Sequence, residues 1–152
     1  MRIEQELAKL GFEMPTPKPL AAYVPAVRSG DLVFTAGQGP TINGVPKWIG
    51  KVGRELTEEQ GYLAAQLCAV NCLACVKSAI GDLDKVEHVV KLLGFVASVE
   101  GFSRQPWVMN GASELLIKLF GERGRHARSA IGTNQLPLGI PCEVEMIVRV
   151  RD

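Results

Sequence analysis

His126-Ala-Arg-Ser-Ala-Ile-Gly-Thr-Asn-Gln-Leu-Pro-Leu-Gly-Ile-Pro-Cys-Glu-Val-Glu-Met-Ile-Val-Arg-Val150 is the stretch that decides how this chain folds. Its second half alternates. Cys142, Val144, Met146, Val148 and Val150 fall on one side, and Glu143, Glu145, Ile147 and Arg149 on the other. A period of two is that of a strand with one face buried. Residues 126–133 are small or apolar and read as a second strand. The link between them, 134–141, is rich in turn residues, and a hairpin there would set Arg128 beside Glu143. Charge in a strand that reads as buried costs desolvation, so these two residues stand out as a candidate site.

Working outward, Ser103 and Pro106 open a helix that Gly121 ends, with Val108, Ala112, Leu115 and Leu119 as its apolar stripe. Residues 85–99 read as a strand whose two faces are both largely apolar, so both are expected to be buried. Thr57-Glu-Glu-Gln60 is a capping box, and the helix it starts runs to about Ile80, where Gly81 stops it. Residues 22–28 and 31–37 read as a hairpin turning at Ser29-Gly30. Residues 38–54 form a long Gly- and Pro-rich loop with a short strand near Val45. Residues 3–10 form a short helix closed by Gly11, and Met14-Pro-Thr-Pro-Lys-Pro19 is a stiff extended connector. The fold class is α+β, with the helix and connector (1–18) ahead of a single domain (19–152). Two long helices cover one face of such a sheet. The other face carries Phe34, Phe95 and aliphatic side chains, and an apolar face of that size predicts self-association.

Composition narrows the function. The 152 residues are 47% hydrophobic and 22% charged, the profile of a folded globular domain. Lys and Arg number 17 and Asp and Glu 16, a net charge of +1, which disfavours nucleic-acid binding by bulk electrostatics. Only 6% is aromatic, so stacking platforms for single strands are not expected. No apolar run is read as a membrane span, and the amphipathic, acid-bearing N-terminus is read as neither signal nor transit peptide. Three of the four cysteines fall within eight residues, a poor layout for a disulfide framework, so the chain is read as reduced and cytoplasmic.

Cys68, Cys72 and Cys75 have the C-x3-C-x2-C spacing of a radical-SAM iron–sulfur motif. They also lie inside the capped helix on one i, i+4, i+7 stripe, where small side chains allow a close approach to a sheet. The core reading is the one adopted, and no metal site is expected.

Arginine offers a planar fork of donors that matches a carboxylate, and glutamate can hold or deprotonate a water. Together they suit a small carboxylate-bearing substrate attacked by water. On spacing alone a structural salt bridge between adjacent strands is the favoured reading. A resemblance weighs on that choice. Tyr23-Val-Pro-Ala-Val, Leu32-Val-Phe-Thr-Ala-Gly-Gln38, Gly81-Asp-Leu-Asp-Lys-Val86, Asn110, Ala127-Arg-Ser129, Leu136-Pro137 and Glu143-Val-Glu145 occur in the order seen in the YjgF/Rid (reactive intermediate deaminase, endoribonuclease L-PSP) family. The chain resembles a divergent branch of it.

The resemblance implies a chorismate-mutase-like two-layer sandwich, a mixed sheet with two long helices on one face, assembled as a homotrimer with clefts between subunits. It implies that Arg128 binds the substrate carboxylate and Glu143 positions a hydrolytic water. Tyr23, Ala36, Gly37, Asn110, His126 and Ala130 would line the pocket. The implied reaction is hydrolysis of short-lived 2-imino acids, or their enamine tautomers, to 2-keto acids and ammonia, with no cofactor. Three positions depart from the deaminase pattern: Ala36 replaces a serine, Ala130 a cysteine and His126 a proline. Ala36 and Ala130 favour a non-catalytic trimeric binder of small carboxylates as one alternative, while His126 could add an acid or base at the cleft. An L-PSP-type ribonuclease is another, supported only by the basic run Arg123, Arg125 and Arg128. His88 and Trp107 are read as structural, while Trp48 could cover a cleft.

Overall fold

The computed structural model describes residues 1–18 and 21–152; Pro19, the end of the expected connector and the start of the expected domain, lies outside the described residues. Along the chain come α1 (Arg2–Lys9), β1 (Ala26–Ser29), β2 (Leu32–Thr35), β3 (Thr41–Ile42), β4 (Val45–Pro46), α2 (Glu58–Ile80), β5 (Val86–Ala97), α3 (Gln105–Phe120), β6 (Ala127–Thr133) and β7 (Cys142–Val150). β1, β2, β7, β5 and β6 lie in that order in one sheet, with β5 and β6 parallel and the other neighbours antiparallel. The α+β class and the mixed sheet are as the sequence reading expects. The 22–28/31–37 hairpin is narrower than expected. The 38–54 loop contains the small β3–β4 hairpin in place of one isolated strand.

The hairpin expected at 134–141 does not form. β6 and β7 are not paired, because β5 runs between them. β5, α3 and β6 form a βαβ unit, which makes β6 parallel to β5. The 134–141 link then crosses the end of β5, where the Ala97 N–H donates to the Pro141 carbonyl at 2.8 Å, and β7 returns on the far side. Two strands separated by a third cannot present neighbouring side chains from a hairpin.

The capping box forms as expected. Thr57 Oγ1 accepts from Gln60 N–H at 3.1 Å, and Gln60 Oε1 accepts from Thr57 N–H at 2.9 Å. α2 is long and apolar enough to span a bilayer, with a mean hydropathy of 1.6, contrary to the sequence reading. Here its apolar residues pack into the core of the domain. Its cysteines face β7: Cys72 Sγ lies 3.1 Å from the Val144 carbonyl, and Cys68 Sγ 3.6 Å from Cys142 Sγ. All four thiols are free and buried, and burial pushes Cys75 up to about 11. This is the packing that the core reading of the C-x3-C-x2-C stripe expects. α3 meets α2 at Gly111, where a Cβ would sit 2.0 Å from the Tyr62 carbonyl oxygen.

α1 is stitched into the same core. Ile3 and Leu7 are fully buried. The open N–H groups of its first turn are capped from a distance: Asp84 accepts from Arg2 N–H at 2.7 Å and Ile3 N–H at 2.9 Å, and also holds the Met1 ammonium. These bonds hold the Asp84 carboxyl well below the usual carboxylate range.

Both helices lie on one face of the sheet. Val89, Leu92 and Val96 of β5 are fully buried on that side, whereas Lys91, Leu93 and Phe95 on the other are only half-buried. The expectation that β5 is buried on both faces is therefore not met within one chain, because no helix or second sheet among the described residues covers the second face. That face carries Val27, Phe34 and Ile131, all exposed.

Candidate functional site

Strand register decides where each charged side chain goes. Arg128 lies in a row with Leu92 and Met146, on the helix face, at the edge strand. Its guanidinium reaches α3. Nη1 donates to Asn110 Oδ1 at 3.0 Å and to Ser113 Oγ at 3.1 Å, and Nη2 donates to the Pro106 carbonyl at 3.2 Å. All three acceptors are neutral. Among the described residues no carboxylate pairs with Arg128, and burial lowers its pKa. Its Nε and one Nη2 proton have no acceptor among the described residues, which leaves donors for a ligand.

His126 supports this arrangement. Its Nδ1 lies 2.7 Å from the Gly124 carbonyl, which can only accept, so Nδ1 carries the proton. Nε2, 2.8 Å from Ser113 Oγ, then accepts from the Ser113 hydroxyl. With its proton committed to His126, the Ser113 oxygen turns its lone pairs to Arg128. Burial, and then the charge of Arg128, keep the His126 pKa below its ordinary value. Ala130 sits two residues beyond Arg128 on the same face, paired with Gly94 and half-buried.

Glu143 lies in a row with Phe95 and Ile131, on the open face. It borders a cleft of about 490 Å³ whose walls include Tyr23, Ala36, Gly37, Gln38 and Leu138. Reciprocal backbone bonds between Gln38 and Val144, 2.8 and 3.0 Å, hold the Gly37 segment against β7. The fit is close: a Cβ on Gly37 would stand 2.9 Å from the Glu143 carboxyl. Burial, and then the nearby Glu145, push the Glu143 pKa up.

The expected site residues thus fall into two groups. Tyr23, Ala36, Gly37 and Glu143 come together on the open face; Asn110, His126, Arg128 and Ala130 come together on the helix side. Within one chain Arg128 and Glu143 are not brought side by side, because an odd and an even position of the sheet point opposite ways. Sequence reasoning missed Ser113 and the Pro106 carbonyl. Their signal was present, since Pro106, Asn110 and Ser113 recur at helical spacing. His88 Nε2 lies 2.7 Å from the Arg125 carbonyl, so it holds the backbone beside His126, a structural role. Trp107 is half exposed beneath the Arg104 guanidinium, 4.3 Å from the ring centre, and Trp48 borders a separate cavity.

The chain resembles known proteins over nearly its whole length. It is 40% identical to Protein TCP17 of Trypanosoma cruzi, over 99% of this chain and 96% of that one. The crystal structure of Atu1372 from Agrobacterium tumefaciens, a protein of unknown function, superposes with a TM-score of 0.92 at 46% identity, covering 98% of this chain and 92% of that one. A Shewanella oneidensis protein described as a "putative endoribonuclease" superposes with a TM-score of 0.93 at 30% identity, covering 99% and 100%. Residues 4–150 match the family model described as "YjgF/chorismate mutase-like, putative endoribonuclease". Matched to that model over residues 4–150, this chain belongs to the YjgF/chorismate mutase-like family.

Proposed function

We propose that the protein hydrolyses reactive 2-imino acids, or their enamine tautomers, to 2-keto acids and ammonia, in clefts between the subunits of a homotrimer. The observation that carries this reading is the placement of an uncompensated, part-buried arginine and a part-buried glutamate on opposite faces of one sheet. Cyclic association lets one protomer's Arg128 face its neighbour's Glu143, and it covers the apolar open face at the same time.

Arg128, held from behind by Asn110, Ser113 and the Pro106 carbonyl, presents Nε and Nη2 to the substrate carboxylate. That fixes C2 of the imine, which is already electrophilic, over the neighbouring cleft. Glu143, whose raised pKa makes it a stronger base than a free carboxylate, takes a proton from water as the oxygen bonds to C2. The proton is returned to nitrogen, which gives an amino alcohol; its hydroxyl proton then passes by way of Glu143 to the nitrogen as the C–N bond breaks, and ammonia leaves as the carbonyl forms. Water supplies the oxygen and no redox partner is needed.

The ribonuclease reading draws less support from the geometry. Arg123 donates to the Val86 carbonyl at 3.0 Å, and Arg125 pairs with Glu122 at 3.0 Å, so the basic run is not an open cationic patch. The deciding experiment is ammonia release from 2-aminoacrylate generated in situ by a PLP-dependent dehydratase. The wild-type protein is expected to accelerate it, and Arg128→Ala to lose about 100-fold, the worth of two charge-assisted hydrogen bonds. No acceleration by the wild type overturns the reading; 2-oxobutanoate binding without turnover assigns a carboxylate binder instead.

A further inference from the structure

Three cavities share walls beneath residues 14–18. The Glu143 cleft shares Pro17, Lys18, Gln38, Thr41 and Gly44 with a middle chamber of about 380 Å³. That chamber shares Pro15, Thr41, Asn43 and Asn71 with a far chamber of about 330 Å³. The middle is polar, with Thr16, Lys18, Gln38 and Asn43 on its walls. The far chamber combines apolar Phe12, Ile42, Trp48 and Leu63 with polar Glu13 and Gln66, and Lys47 lies above the Trp48 ring at 4.8 Å. A cavity of this size in which an aromatic and aliphatic wall meets placed polar groups is a usual form of small-molecule site.

Asn71 stands where the middle and far chambers meet. It is 4% exposed. Its amide nitrogen donates to the carbonyls of Gly39 and Thr41, each at 2.9 Å, and lies 3.3 Å from Thr41 Oγ1. Two carbonyl partners fix the orientation of the amide, since a flipped Asn would turn oxygen against oxygen. The Asn71 Oδ1 receives no hydrogen bond from any described residue. That oxygen opens onto the two chambers that Asn71 lines, where it is free to accept a hydrogen bond from an occupant.

We propose that the molecule bound at Glu143 carries an extended side chain. It runs beneath residues 14–18, donates an N–H or O–H to Asn71 Oδ1, and places a planar apolar group against Trp48. The substrate class is thus a 2-imino or 2-enamino acid with a long, donor-bearing and preferably aromatic side chain. This rests on the reading of the Glu143 cleft given above, and the test separates the two.

Calorimetry on the full chain compares 2-oxobutanoate, indole-3-pyruvate and indole-3-acetamide, the last carrying the ring and donor without a carboxylate. Indole-3-pyruvate is expected to bind about tenfold tighter than 2-oxobutanoate. Leu63→Glu, at an exposed position on the far wall, should erase that advantage and leave 2-oxobutanoate unchanged; Ile42→Glu, on the opposite wall, is the second variant. Equal affinity of the two keto acids, or an advantage that survives both substitutions, overturns the proposal. Binding of indole-3-acetamide, lost in Leu63→Glu, with no binding of either keto acid upholds the far subsite and overturns the carboxylate reading. No binding of any of the three overturns both.

Discussion

Glu143 shows at the scale of one residue how function and stability oppose each other. Its pKa is raised, so the folded chain holds that proton more tightly than the unfolded chain does. The contribution to stability is full below the ordinary carboxylate pKa and is lost as pH rises through the native value. Glu143→Gln removes the buried charge. It should therefore melt higher than wild type at pH 7, with the difference closing near pH 4, while imine hydrolysis falls to background. Thermal melts across pH, beside the ammonia assay, check this. A variant no more stable at pH 7 would show that the Glu143 charge is well solvated. The identities of Arg128 and Glu143 were legible in the sequence, because charge amid apolar strand residues is conspicuous. Their relation was not. It depends on which strand lies between them, and pattern along one strand carries no information about its neighbours.

At the scale of elements, all of the longer helices and strands were legible to within a few residues. Capping at Thr57, the stop at Gly81 and the alternation of β7 are local signals. What escaped was long-range: α1 capped by Asp84 across the molecule, and the passage of the 134–141 link over β5. The α2–α3 contact is of this kind too. Gly111 lets the helices approach until no side chain fits, with the Tyr62 carbonyl 2.0 Å from where a Cβ would stand. Gly111→Ala gains intrinsic helix propensity, about 1 kcal/mol, yet must push two helices apart. A net loss of about 2–3 kcal/mol is expected from overpacking, read by urea denaturation; a neutral or stabilised variant would mean that the helices slide freely.

The whole molecule is organised by one asymmetry: two long helices on one face of the sheet and, among the described residues, no helix on the other. Val27, Phe34 and Ile131 are exposed there beside half-buried Leu93 and Phe95. Phe34→Asp leaves the core untouched, so circular dichroism should not change. Sedimentation should shift from a trimer to a monomer, and hydrolysis should disappear with the assembly. A monomeric wild type would remove the basis for an intersubunit cleft, and an active monomeric variant would place the whole reaction within one chain.

The opposite placement of Arg128 and Glu143 also has a genetic consequence. If each cleft draws one of the pair from each of two neighbours, chains carrying Arg128→Ala and chains carrying Glu143→Gln are each inactive alone. Co-expressed, they assemble mixed rings in which about one cleft in four regains both side chains. Two loss-of-function alleles would then complement each other within a single gene product, and the recovered fraction would count how the subunits are shared.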